Sequence, residues 1–200
     1  MKNTITYLPD NSVKQGYVSL VRDMIEEIHS SRWLTWQLFK RDFKAAYKQS
    51  VLGILWNVVM PLMTLATFIV LNRAGVFNVG NISVPYPIYA IIGIAFWQIF
   101  ASGILSTTNS IVAAGSMINK IKFPRESLVV SSFGQVLIAF VIQIAMVIAV
   151  FIVYQYVPTW TVIFVPFTLI PIILMTLGLG FILSLMNGVL RDIGKAVPIL

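Results

Sequence analysis

The chain has one histidine, His29, and no cysteine, and no acidic or basic residue falls inside its long apolar runs. Acid–base, nucleophilic and metal chemistry all need such groups gathered in one place, so the sequence shows no catalytic constellation of its own. A lone histidine on a solvent-facing helix is more often solvated than a switch. Gly194-Lys195-Ala196 lacks both the glycine loop and the hydroxyl of a P-loop, so ATP has no site of that kind here. What remains are hydroxyls and amides inside apolar segments. Ser106, Thr107, Thr108, Asn109 and Ser110 follow Gly103, and Ser131, Ser132, Gln135 and Gln143 form a second group. Such groups either bond across closely packed helices or line a wet path through a membrane. Ser106, Thr107, Asn109, Ser131 and Gln135 are the candidates for a lining. Thr176, Gly178, Gly180 and Ser184 read as helix-packing positions.

Two further groups combine charge with rings or with stiffness. Trp36, Phe39, Phe43 and Tyr47 recur at helical spacing beside the bases Arg41, Lys44 and Lys48. With Trp33 and Trp56 they make a basic, aromatic surface suited to the headgroup layer of a membrane, or to an anionic substrate held there. A helix docked on a partner protein is the other reading. The second group is Asn119, Lys120, Lys122, Phe123, Pro124, Arg125 and Glu126, a short basic loop stiffened by proline. It serves as an orientation signal, or as a rigid linker that carries a push from a partner into two neighbouring elements.

The elements that must position these residues follow from where charge is missing. No charged side chain occurs from Gln49 to Asn72, between Arg73 and Lys120, or between Glu126 and Arg191. A charge at the bilayer centre costs ~2.5–3.5 kcal/mol even on insertion scales, so such deserts are what lipid selects. Hydrophobic residues make up 58% of the chain and charged ones 10%, far from the roughly 25% charged of soluble domains. The sequence therefore predicts an all-α polytopic membrane protein. Residues 1–50 form a cytoplasmic segment with amphipathic interfacial helices, and 51–200 a transmembrane domain. Spans are expected at about 51–71, 87–113, 127–154 and 162–186, each near the 20 residues that a ~30 Å core requires. Pro61 should bend the first of them.

Charge also orients the chain. With the N-terminus in the cytoplasm, every base but Arg73 falls inside, as the positive-inside rule demands. Tyr86, Tyr89, Tyr154, Tyr156 and Trp160 then lie at the outer interface, where amphipathic rings settle. The net charge of +7 could suggest nucleic acid, but the bases crowd into the N-terminal segment and short loops, which excludes that class. From Val18 to Ile28 an apolar stripe of Leu20, Val21, Met24, Ile25 and Ile28 opposes Arg22, Asp23, Glu26 and Glu27, which predicts an amphipathic helix. Asn81-Ile82-Ser83 matches a glycosylation sequon and reads as chance.

Three stretches go beyond generic membrane physics. Arg41-Asp42-Phe43-Lys44-Ala45-Ala46-Tyr47-Lys48-Gln49-Ser50-Val51-Leu52-Gly53-Ile54-Leu55-Trp56, followed by Pro61-Leu62, resembles the start of the membrane domain in type-2 ABC exporter permeases. Ile118 to Glu126, and Asn187 to Asp192, resemble loops of the branch that exports O-antigen, capsule and teichoic acid. Ala46 departs from the arginine common there. The resemblance implies six spans, so the fifth and sixth are expected beyond the apolar start at 196–200 and the chain reads as truncated. It also implies a bacterial inner-membrane permease that pairs with a second copy and with two nucleotide-binding ATPase subunits. The permease itself is then no enzyme and binds no cofactor or metal, with ATP and Mg held by the ATPases. Residues 119–126 become a coupling helix, Trp33, Trp36, Arg41, Lys44, Tyr47, Lys48 and Trp56 a substrate entrance, and a lipid-linked polysaccharide the cargo. Rival readings are a type-2 exporter of a drug or haem, a membrane enzyme acting on isoprenoid-linked sugars, and a scaffold without transport.

Overall fold

A computed structural model describes residues 17–48, 53–77, 79–80, 82–118 and 124–199. Two helices come first, α1 (Tyr17–Ser30) and α2 (Arg32–Lys48). Helix α3 (Trp56–Arg73) follows a 3₁₀ turn at Gly53–Leu55, and α4 (Tyr86–Ile118) and α5 (Glu126–Val153) come next. Helix α6 (Val165–Val189) follows a second 3₁₀ turn at Trp160–Phe164, and a short α7 (Ile193–Ala196) runs into a last turn at Val197–Ile199. Four helical segments are long and apolar enough to cross a membrane: Gly53–Arg73, Tyr86–Gly115, Glu126–Val153 and Trp160–Val189. This is an all-α polytopic membrane protein. In hydrocarbon each backbone N–H and C=O must be satisfied within the protein, which only helices or closed barrels achieve.

The helix ends have local causes. Helix α3 closes at Gly75, whose φ of 76° is the left-handed conformation that glycine adopts without penalty. There the Gly75 N–H donates to Asn72 O at 3.1 Å and the Val76 N–H to Leu71 O at 3.0 Å, satisfying carbonyls that the helix leaves over. Helix α5 closes in the same way on Gln155, at φ 49°, with the Tyr156 N–H reaching Phe151 O at 3.1 Å. Pro61 lies buried inside α3 and does not end it, and Pro171 lies inside α6. The second span, expected to stop near 113, continues to Ile118 with a break at Gly115 (φ 1°, ψ −82°).

Helix α4 is the hub. Its Ala95 and Ile99 pack with Phe133, Val136 and Phe140 of α5. Leu65 holds α3 against Ala90, Ile91 and Met146, and Leu38 seats α2 on Ala114 and Leu128. The contact between α4 and α6 is made by small residues. A Cβ on Gly103 would lie 2.5 Å from Thr176 Cγ2, and one on Gly180 would lie 2.8 Å from Thr107 Cβ. Without a hydrophobic drive between helices in lipid, this close approach supplies the dispersion contact. The two hydroxyls at these close approaches bond to their own helices: Thr107 Oγ1 donates to Gly103 O at 2.7 Å and Thr176 Oγ1 to Ile172 O at 2.6 Å. Outward faces carry Val141, Phe167, Leu174 and Met175 exposed, an apolar exterior that matches lipid tails.

Candidate functional site

The aromatic residues of α2 form one continuous ladder. Trp36 stacks on Phe39 with ring centroids 5.2 Å apart, Phe39 lies 5.9 Å from Phe43, and Phe43 lies 4.7 Å from Tyr47. The Lys40 ammonium sits 5.2 Å from the Trp36 ring centroid, a cation–π contact. At the far end the Asn57 carboxamide donates to Tyr47 Oη at 2.9 Å, tying α2 to the beginning of α3. Leu38 is the buried anchor of this helix. Arg41, Lys44 and Lys48 stay exposed, as do Trp33, Trp36 and Trp56. The expected entrance residues thus occupy one helix and the first turn of the next.

Beneath α2 lies a cavity of about 330 Å³ between α2, α4 and α5. Arg41 and Asp42 stand at its rim, joined at 2.6 Å, and Ser106, Asn109, Ser132 and Gln135 line it. Ser106 Oγ donates to Ser132 O at 3.2 Å, linking α4 to α5 across the wall. The cavity therefore offers amides, hydroxyls and one ion pair. It can exchange hydrogen bonds with a polar guest, and no carboxylate–histidine pairing at its wall equips it for proton transfer. Among the described residues no group of three or more His, Cys, Asp or Glu is placed to hold a metal ion.

Of the five lining candidates, the structure brings Ser106, Asn109 and Gln135 to this cavity. Thr107 is wholly buried against Gly180 in the α4–α6 contact, and Ser131 faces a different groove near the α1–α2 junction. Of the packing residues expected in α6, Thr176 and Gly180 sit in the α4 contact, Ser184 is buried, and Gly178 has open space around it.

In the loop expected to couple to a partner, Asn119, Lys120, Lys122 and Phe123 lie outside the described residues. Pro124 and Arg125 lead straight into α5, where the Ser127 N–H donates to Pro124 O at 3.2 Å and the Leu128 N–H to Arg125 O at 3.1 Å. Arg125 is exposed and Glu126 half-buried. Helix α1 comes close to this point. The Glu27 carboxyl is held above its ordinary pKa, first by burial and then by the Glu126 charge facing it. The N-terminal helices and the start of α5 thus occupy one end of the bundle.

Sequence reasoning missed the role of Asn187, which is 2% exposed. Its Nδ2 donates to Thr108 O at 3.0 Å and to Asn109 Oδ1 at 3.2 Å, and its Oδ1 accepts from the Gly194 N–H at 2.8 Å. A Cβ on Gly194 would lie 2.7 Å from Asn109 Oδ1, so glycine is what lets α7 approach. Asn109 belongs both to this node and to the cavity wall. The signal available in the sequence was the pair Asn187 and Gly194, a polar residue and a glycine seven apart at the end of an apolar run.

Comparisons with known proteins agree with this architecture. Residues 34–200 match the ABC-2 type transporter family. An O-antigen export system permease protein RfbA from Myxococcus xanthus is 26% identical over 175 residues, covering 87% of this chain and 66% of that protein. Two proteins of the same name from Klebsiella pneumoniae are 28% and 29% identical over 161 residues, covering 80% of this chain and 61% of each. The chain thus spans somewhat less than two thirds of the length of these relatives. With four membrane-crossing helices and a match that runs from α2 to its last residue, this multi-pass membrane protein belongs to the ABC-2 type transporter family.

Proposed function

We propose that the chain is the membrane-spanning permease subunit of an ATP-driven exporter. It carries a lipid-linked polysaccharide of the O-antigen, capsule or teichoic-acid type from the cytoplasm to the outer side of the inner membrane. The observation that carries this reading is the likeness, along 87% of the chain, to a permease named for O-antigen export. The geometry supports it in two ways. A basic aromatic belt on α2 suits an anionic, sugar-bearing amphiphile, since rings stack on sugar faces and bases meet phosphate. The cavity below that belt offers amides and hydroxyls, which exchange hydrogen bonds with sugar hydroxyls, while the charges at its rim, Arg41 and Asp42, are paired with each other.

In this mechanism a second copy completes the path and two ATPase subunits, which hold ATP and Mg, supply the work. Their closure presses on residues 119–126. Because α5 begins directly at Glu126, a push there moves a whole span as a rigid body. The same closure reaches α1, which lies against that point. The ATPases act on the N-in face, where the bases gather.

Arg125→Glu tests the coupling role. Arg125 is exposed, and a carboxylate at a helix start is electrostatically acceptable, so membrane insertion should be unchanged by protease protection. Export of the glycan to the cell surface should be lost. Normal export in that variant would remove the coupling role. Stimulation of the assembled ATPase by a purified lipid-linked glycan, and not by drugs or haem, would distinguish the cargo.

A further inference from the structure

Between the α1–α2 junction and the facing walls of α5 and α6 runs an open groove of about 660 Å³, within the ~300–1,000 Å³ typical of small-molecule sites. Its wall changes character along its length. His29 and Arg32 stand at the junction. Ser131 comes next, 1% exposed, its hydroxyl without a hydrogen-bond partner among the described residues. Leu137, Ile173 and Leu177 complete the far end. Leu137 is eleven residues into α5, which at 1.5 Å per residue places it about 16 Å from the helix start, near half the ~30 Å hydrocarbon core. One end is thus cationic and at headgroup depth, and the other is aliphatic and near the midplane. That is the polarity and length of a single leaflet.

We propose that this groove is a binding site for an anionic phospholipid of the leaflet that meets the α1–α2 junction. The phosphodiester sits against Arg32 and His29, and one acyl chain lies along Leu137, Ile173 and Leu177. Arg32 holds no ion pair among the described residues, so its charge is available to a phosphate. Gly134 makes the side wall possible. A Cβ there would lie 3.0 Å from Phe39 Cδ2, so α2 can lean its aromatic ladder onto α5 and close the groove's flank. A sugar-bearing head would need more polar surface than this groove has. That surface is found in the separate cavity under Arg41 and Asp42. The assignment rests on the chain crossing a membrane and not on its cargo.

The test is lipid retention by the purified full chain, exchanged into phosphatidylcholine nanodiscs doped with palmitoyl-oleoyl phosphatidylglycerol and read by native mass spectrometry. The wild-type chain should retain one phosphatidylglycerol in preference to phosphatidylcholine. Arg32→Gln should weaken that retention about fivefold, equivalent to ~1 kcal/mol per base at an anionic surface, and Arg32→Lys should restore most of it. Leu137→Trp should weaken it through the other end, by filling the groove. Arg32 is exposed, so its variants leave the fold intact whatever Leu137→Trp does. Equal retention by wild type and Arg32→Gln, or no preference between the two lipids, overturns the site. So does displacement of phosphatidylglycerol by an equimolar isoprenoid-linked sugar diphosphate, which would make the groove a cargo site. None of these readouts needs the ATPase or export, so failure here leaves the transport reading standing, and the reverse.

Discussion

Asn187 concentrates in one carboxamide the contacts that hold the end of α6 to both α4 and α7. A buried amide is stable only while its donors and acceptor are paired, and here both ends are used. Asn187→Ala removes the bridge and strands the Gly194 N–H, which also loses the space-filling neighbour that fixes α7. Hydrogen bonds in membrane proteins average ~0.6 kcal/mol, and an orphaned group adds to the loss, so the cost should be about 1–3 kcal/mol. Reversible unfolding in detergent–lipid micelles measures it, and an unchanged midpoint would mean the node contributes nothing. The same scale explains why the sequence grouped residues that the fold separates. Successive helix positions differ by about 100°. Ser106 therefore faces α5 and the cavity while Thr107 faces Gly180 of α6, and Ser132 lines the cavity while Ser131 turns to the groove. Composition places a hydroxyl in a span, but only the partner helix decides what it meets.

For whole elements, the sequence was far more legible. Lipid penalises every misplaced charge, so uncharged runs mark the spans, and the helices found there differ from expectation mainly where α4 continues past its break at Gly115. The approach of α1 to the start of α5 was not legible, since it joins elements about a hundred residues apart in the chain and brings two like charges near each other. That approach predicts a pH dependence. With the Glu27 pKa raised in the docked state, docking is strongest below the ordinary value of 4.5 and weakens as pH rises through the raised one. Hydrogen exchange at α1 amides, corrected for intrinsic rate, should show greater protection as pH falls through the raised Glu27 value. Glu27→Gln should flatten the profile at its protected level. A wild-type profile independent of pH would mean that α1 is not held at Glu126.

At the scale of the molecule, charge and packing agree on which end of the bundle is which. Leu38 joins α2 to the end of α4 and the start of α5, Glu27 faces Glu126, and Gly194 meets Asn187 and Asn109. Arg22, Arg41, Lys44, Lys48, Arg125, Arg191 and Lys195 therefore belong to elements gathered at one end, while Arg73 closes α3 at the other. The positive-inside rule predicts that a bundle so polarised inserts with its basic end in the cytoplasm. The absence of native cysteine makes this directly measurable, because a single introduced thiol is the only one in the chain. Val157, 85% exposed in the turn between α5 and α6, should as Val157→Cys react in intact cells with a maleimide that cannot cross the inner membrane. Ser30→Cys, exposed at the α1–α2 junction, should react only after the membrane is opened. The reverse pattern would turn the molecule over, putting the Arg125 end and the α2 belt out of reach of any cytoplasmic ATPase. An exporter driven from inside requires that end to face the nucleotide, so this pair of thiols tests the geometry on which the transport mechanism stands.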